Sequence, residues 1–282
     1  MDNRSTSGRR PAKPASEIHN AEAHNAEIHD QFGRQAKLFA KSRGLHNNAV
    51  ISLLVDAADP DFTDTVLDVA CGPGSVVAAF AARVRQAVGL DTTDAMLNQA
   101  RTLAKERNLA NVAWHLGDMY ELPFSDASFD IVTCRFAFHH LQRPLVALEE
   151  MKRVCNPGGR IVVCDGVAAD DPAKAAAFNR MERHRDPSTV EFRPLSVMLD
   201  MFVAAALPPP GITPFQVPTE QEALIEGSFP VGDDRATLRE MIDQSIDGDT
   251  MGLGAHRDGG TVRFSYPSVI LVSSKANAHD NE

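Results

Sequence analysis

Val66-Leu67-Asp68-Val69-Ala70-Cys71-Gly72-Pro73-Gly74-Ser75 passes from an apolar, β-branched strand into a glycine turn and then into helix-forming sequence. Two glycines at the end of a strand let the backbone approach a ligand closely, and a helix that starts at once presents unpaired N–H groups to it. The stretch therefore reads as a nucleotide or cofactor loop, against the plainer reading of a strand-to-helix turn that binds nothing.

On either side of this loop, strand-like and helix-like stretches alternate. Thr65 to Ala70, Ala87 to Asp91, Val112 to His115, Asp130 to Phe136 and Gly159 to Asp165 are short apolar runs. Helical patterns follow from Ser75, from Ala95 to Asn108 and from Pro144 to Val154. Short apolar strands separated by helices imply parallel βαβ units in a doubly wound sheet, so the fold class is α/β and Rossmann-like. Further helices are expected at Ala173 to Arg185, Ser196 to Ala206 and near Arg235 to Ile246, with a Pro-rich break at Leu207 to Pro210 and a last strand over Arg263 to Ser273.

The organisation follows from these patterns. Residues 1–27 have too few large apolar side chains to form a packed element and read as a disordered tail, and 28–60 read as cap helices whose Phe32 and Phe39 are candidate substrate contacts at the mouth of the fold. The cofactor-binding core is 61–165, an acceptor and lid region 166–260, a strand completing the sheet 261–275, and a tail 276–282. His19, His24 and His29 recur every five residues, a spacing that turns each about 140° around a helix, so they share no face and no metal site is expected.

Composition narrows the function. The 282 residues carry a formal charge of −10, which disfavours a large nucleic-acid footprint. No run approaches the roughly 18 to 20 apolar residues of a membrane span, and nothing resembles a secretion signal, so a cytoplasmic monomer or homodimer with a small-molecule acceptor is expected. Cys71, Cys134, Cys155 and Cys164 are widely spaced and mostly apolar in setting, which suggests neither disulfides nor a metal pair.

Two further sites extend the cofactor reading. Asp91 ends the second strand, where a carboxylate can accept both ribose hydroxyl hydrogens; the alternative is a capping role shared with Thr92 and Asp94. After the third strand, Asp118 of Gly117-Asp118-Met119 can accept from an adenine amino group while Met119 offers its polarisable face. A nicotinamide oxidoreductase would carry Gly or Ala where Val77 stands in the G-x-G-x-x-G spacing.

These motifs, together with Met96-Leu97, Leu122-Pro123-Phe124, Ser128-Phe129-Asp130 and Leu148-Glu-Glu-Met-Lys-Arg-Val-Cys-Asn-Pro-Gly-Gly159, resemble the class I methyltransferases that use S-adenosylmethionine (SAM). Within them the chain is similar to the ubiquinone and menaquinone biosynthesis C-methyltransferase group, methyltransferase domain type 11, over roughly residues 32 to 165. The resemblance implies a sheet of about seven strands, mostly parallel with an antiparallel last strand. It implies SAM as cofactor and S-adenosylhomocysteine as product. It places Asp68, Ala70, Gly72 and Gly74 along the methionine part, Asp91, Thr92 and Met96 around ribose and adenine, Gly117, Asp118 and Met119 at the base, and Arg135 and Phe136 facing the cofactor.

Two departures stand out. Cys-Gly-Pro-Gly replaces the commoner Cys-Gly-Thr-Gly, and Arg135-Phe-Ala-Phe-His-His140 is not what the quinone enzymes carry, which puts a quinone acceptor in doubt. A methyl acceptor of carbon or oxygen type is expected. His139 and His140, just past the fourth strand, are candidate bases if the acceptor must lose a proton. Arg185, in the charged stretch from Arg180 to Pro194, is the candidate contact to an anionic acceptor, the alternative being a solvated helix face. A SAM-binding protein that catalyses cyclisation would share the cofactor motifs.

Overall fold

The computed structural model describes residues 45–277. Phe32, Phe39, the tail 1–27, most of the expected cap region and the last five residues lie outside the described residues.

The strands are β1 (Thr65–Val69), β2 (Gln86–Asp91), β3 (Val112–Leu116), β4 (Phe129–Arg135), β5 (Cys155–Gly166), β6 (Gly211–Glu220), β7 (His256–Asp258) and β8 (Thr261–Ser274). The helices are α1 (Leu45–Ala58), α2 (Ser75–Phe80), α3 (Asp94–Glu106), α4 (Pro144–Val154), α5 (Pro172–Arg185), α6 (Leu195–Ala204), α7 (Gln221–Glu226) and α8 (Arg235–Gln244). Among the described residues the sheet has eight strands, in the order β3-β2-β1-β4-β5-β8-β6, with β7 paired to β8. β1 to β5 pair in parallel and β8 runs antiparallel to β5, β6 and β7.

Period-2 alternation sends successive side chains to opposite faces, and both faces are covered. Val66, Ala87, Val162 and Cys164 join one buried cluster with α1 and α2 residues such as Leu54, Val77 and Phe80. Leu67, Val69, Val88, Leu90, Ile161 and Val163 join the other, with Leu148, Met151 and Phe202 of α4 and α6. A third cluster, built on Phe178, Met181, Leu238, Ile242 and Phe264, forms beyond the sheet's carboxyl ends from α5, α8 and β8.

The segment 211–220 was expected to lie within the lid region, and it instead adds β6 to the sheet. Pro214 and Pro218 hide this strand, since Pro cannot donate to a ladder; β6 tolerates them because it is an edge strand bonded on one side only. From Ile212 to Glu220 its accessibility alternates residue by residue. The parallel strands all end on the side where their following loops converge, and in open α/β sheets ligands bind in that crevice.

Candidate active site

The glycine turn forms the floor of the crevice. Ala70, Gly72 and Gly74 all have positive φ, at 56°, 51° and 81°, which glycine adopts freely and alanine at a cost of about 1–2 kcal/mol. The two glycines are used differently. A Cβ on Gly74 would lie 2.5 Å from the Trp114 ring and 2.8 Å from the Ala100 side chain, so Gly74 is a packing glycine. A Cβ on Gly72 would meet nothing within 4 Å, so this backbone edge faces open space.

Asp91 closes the turn from β2. One carboxylate oxygen accepts the Gly72 N–H at 2.8 Å and the other accepts the Thr93 N–H at 2.8 Å. These two bonds fix the orientation of the carboxylate. The Gly117 N–H donates to the Asp91 carbonyl at 3.0 Å, which brings the loop after β3 alongside. There Asp118 accepts the Tyr120 N–H at 2.8 Å, Asp118 is exposed, and Met119 and Met96 are buried. Thr92 sits half-buried between them.

Asp68 lies under the turn. It is buried and accepts the Thr133 hydroxyl at 2.8 Å. Burial pushes its carboxyl up to about 7, with Thr133 and Arg135 drawing it down and Asp91 pushing it further up. Cys71 beside it is inert, because burial raises its thiol well above the usual range. Pairing of β1 with β4 sets Val69 opposite Cys134, so Arg135 and Phe136 leave β4 level with Ala70. Phe136 has φ of 50°, and its ring lies 4.6 Å below the Arg135 guanidinium.

Past Phe136 a cavity of about 200 Å³ opens, lined in part by His139, His140, Arg185, Phe192 and Tyr266. The structure separates the two histidines. His139 Nδ1 lies 2.7 Å from one Asp165 oxygen at the end of β5, and its backbone N–H donates to the other at 3.0 Å. Its ring stacks on Phe192 at 4.2 Å. His140 Nδ1 instead meets the Ser188 carbonyl at 3.0 Å, and burial with a neighbouring His139 pulls its basicity down to about 3. It is a buried neutral histidine.

Arg185 reaches the same cavity, so the charged stretch is not a uniformly solvated face. Its guanidinium is held by Glu182, 0% exposed, through contacts of 3.0, 3.0 and 2.7 Å. Tyr266 donates its hydroxyl to the same carboxylate at 2.7 Å. Glu182, Asp165, Phe192 and Tyr266 were not singled out from the sequence. Tyr266 and Phe192 lie far from any motif, and Glu182 looks like an ordinary helix-surface acid until α5 is packed. Asp165 offered one signal, an acid at the carboxyl end of a core strand.

Residues 67–163 match the family described as a methyltransferase domain. Over 246 residues the chain is 28% identical to the uncharacterized methyltransferase YcgJ of Bacillus subtilis, spanning 86% of this chain and 97% of that one. The crystal structure of YcgJ has a TM-score of 0.74 at 27% identity, covering 82% of this chain and 100% of that one. A demethylmenaquinone methyltransferase of Listeria welshimeri is 32% identical over 158 residues, 49% of this chain and 67% of that protein. Other relatives named as methyltransferases are spanned over 38% to 56% of their own length. No helix among the described residues is long and apolar enough to cross a membrane. In place of the glycine or alanine of a dinucleotide fingerprint, Val77 is fully buried in the core. Sheet order, glycine turn and relatives agree: the chain belongs to the class I methyltransferases and is a SAM-dependent methyltransferase.

Proposed function

We propose that the enzyme transfers a methyl group to a small-molecule acceptor held in the cavity past Phe136. The observation that carries this is the clasp of Asp91 on the glycine turn, with the 200 Å³ cavity lined by Phe136 from the end of the neighbouring β4.

The residues suit the cofactor. Space beside Gly72 admits a ligand against bare backbone, and the Asp91 carboxylate is already oriented by two N–H donors. Gly72, Ala70 and Asp68 would hold its methionine part, Asp91 and Thr92 its ribose, and Met96, Asp118 and Met119 its base. When bound, SAM supplies an electrophilic methyl on a sulfonium, a leaving group that needs no acid.

The chain's own task is positioning and exclusion of water. Phe136 and Arg135 separate the cofactor side from the acceptor side, and Phe192, Tyr266 and the α5 helix wall off the acceptor. Alignment within a dry pocket is worth several kcal/mol in a displacement reaction. Segment 166–260 contributes Glu182, Arg185, Asp186, Phe192 and Val217 to the cavity lining, which supports an acceptor role for it.

Isothermal titration with SAM, S-adenosylhomocysteine and NAD tests the reading. Micromolar binding of the first two and none of NAD is expected. Binding of NAD alone would sink it.

A further inference from the structure

The cavity past Phe136 is small. Its volume of about 200 Å³ is below the roughly 300–1,000 Å³ of usual small-molecule sites. Among the described residues that line it, Arg185 is the one guanidinium, and the three Glu182 contacts already match its charge. A carboxylate or phosphate entering the cavity would have to compete with that buried pair, and breaking such a pair is costly. The Tyr266 hydroxyl proton is likewise committed to Glu182.

His139 is arranged differently. Asp165 accepts backbone N–H bonds from His139 at 3.0 Å and Gly166 at 2.7 Å, so its carboxylate is fixed before it meets the ring at 2.7 Å. A carboxylate at Nδ1 assigns the ring proton there and leaves the lone pair on Nε2. Phe192 stacks on one side of the ring at 4.2 Å and the His140 ring packs against it at 4.1 Å, which hold it in place.

We propose that the cavity receives a small, uncharged acceptor through one acidic hydroxyl, whose proton His139 Nε2 removes, with Asp165 as the positioning residue. This rests on the methyl-transfer reading above. The hydroxyl proton passes to Nε2. The pair left on oxygen makes the new bond to the transferred methyl carbon, and the carbon–sulfur pair stays with the donor's sulfur. The imidazolium that results keeps Asp165 at its Nδ1–H, which compensates the charge in a buried site. Arg135 and Arg193 also act on Asp165 electrostatically and so keep the carboxylate from being an unbalanced charge.

The test uses the whole protein saturated with S-adenosylhomocysteine, with 4-nitrophenol as probe and its phenolate absorption as readout at one fixed pH. The bound probe is expected to show at least a tenfold higher ratio of phenolate to phenol than the free probe. The variant H139Q should still bind it but lose the rise, and D165N should lose most of it. The hydroxyl-free 4-nitroanisole should bind without spectral change, and 4-nitrobenzoate at least tenfold more weakly than the phenol. An undiminished rise in H139Q, no binding of 4-nitrophenol, or preference for 4-nitrobenzoate overturns the proposal. Asp165 also holds two backbone amides, so if D165N fails to fold, H139Q decides alone. If calorimetry finds no binding of S-adenosylhomocysteine, the methyl-transfer reading fails instead, and the two failures are distinct.

Discussion

The glycine-turn edge of the crevice, proposed for the cofactor, and the cavity edge, proposed for the acceptor, are built on opposite plans. From Asp68 to Met119 the proposed cofactor edge uses short contiguous motifs at the ends of β1, β2 and β3, with backbone N–H groups and the carboxylates of Asp68, Asp91 and Asp118 as its working parts. The acceptor edge gathers His139, Asp165, Glu182, Arg185, Phe192 and Tyr266 from four separate stretches of chain, and its working parts are buried side-chain pairs. Backbone sites depend on local conformation, and side-chain sites depend on partners far away in sequence. Substitutions should therefore fail in different ways on the two edges.

The largest effect is expected on the acceptor edge. Glu182→Gln leaves the Arg185 guanidinium buried beside a neutral amide and should cost about 3–5 kcal/mol of stability in urea unfolding. Replacing both residues with Met should recover part of that loss, because a well-packed apolar pair can substitute for a buried ion pair but leaves the Tyr266 hydroxyl without its acceptor. A double variant as unstable as the single one would mean that the pair does more than satisfy itself.

On the cofactor edge, Gly74→Ala should cost about 2–4 kcal/mol, combining a left-handed alanine with overlap against Trp114. Adding Trp114→Leu should remove the ring overlap and leave the backbone part together with the 2.8 Å approach to Ala100. Asp91→Ala should weaken SAM binding by about 1.5–3 kcal/mol, the scale of hydrogen bonds to a charged group. An unchanged affinity in calorimetry would remove the ribose role.

Acid sensitivity divides the edges again, with opposite signs. His140 has its folded value pulled down to about 3 from 6.5, so the unfolded chain binds the proton more readily. Its contribution is intact above about pH 6.5 and is lost as the pH falls toward 3, at up to about 1.4 kcal/mol per pH unit. Asp68 is raised from 3.8 to about 7, so its contribution is intact below about pH 4 and is lost as the pH rises toward 7. The two windows overlap with opposite signs and offset in the parent, so between pH 4 and 6.5 the urea midpoint should fall with rising pH in His140→Gln and rise with it in Asp68→Asn. If both variants track the parent, neither group titrates as its burial requires.

The smallest effect belongs to Ala70→Gly. Relief of the positive φ at 56° outweighs the added chain entropy by about 0.5 kcal/mol, a shift readable as a slight rise in the thermal midpoint. A loss of stability would show that the alanine methyl packs usefully.

The sequence by itself determined the α/β class, the glycine turn after β1 and the place of Asp91 at the end of β2. Those features depend on hydrophobic period and on turn chemistry, which are local and survive in a one-dimensional reading. It did not reveal β6, whose two prolines are tolerated only because its place in the sheet is an edge. Nor did it separate His139 from His140, identical neighbours until β5 brings Asp165 to one and the loop after α5 brings Ser188 to the other. Tertiary structure alone decided which charged residues of α5 are buried, because the desolvation that forces Glu182, Arg185 and Tyr266 together arises only once the third cluster packs over the sheet's carboxyl ends.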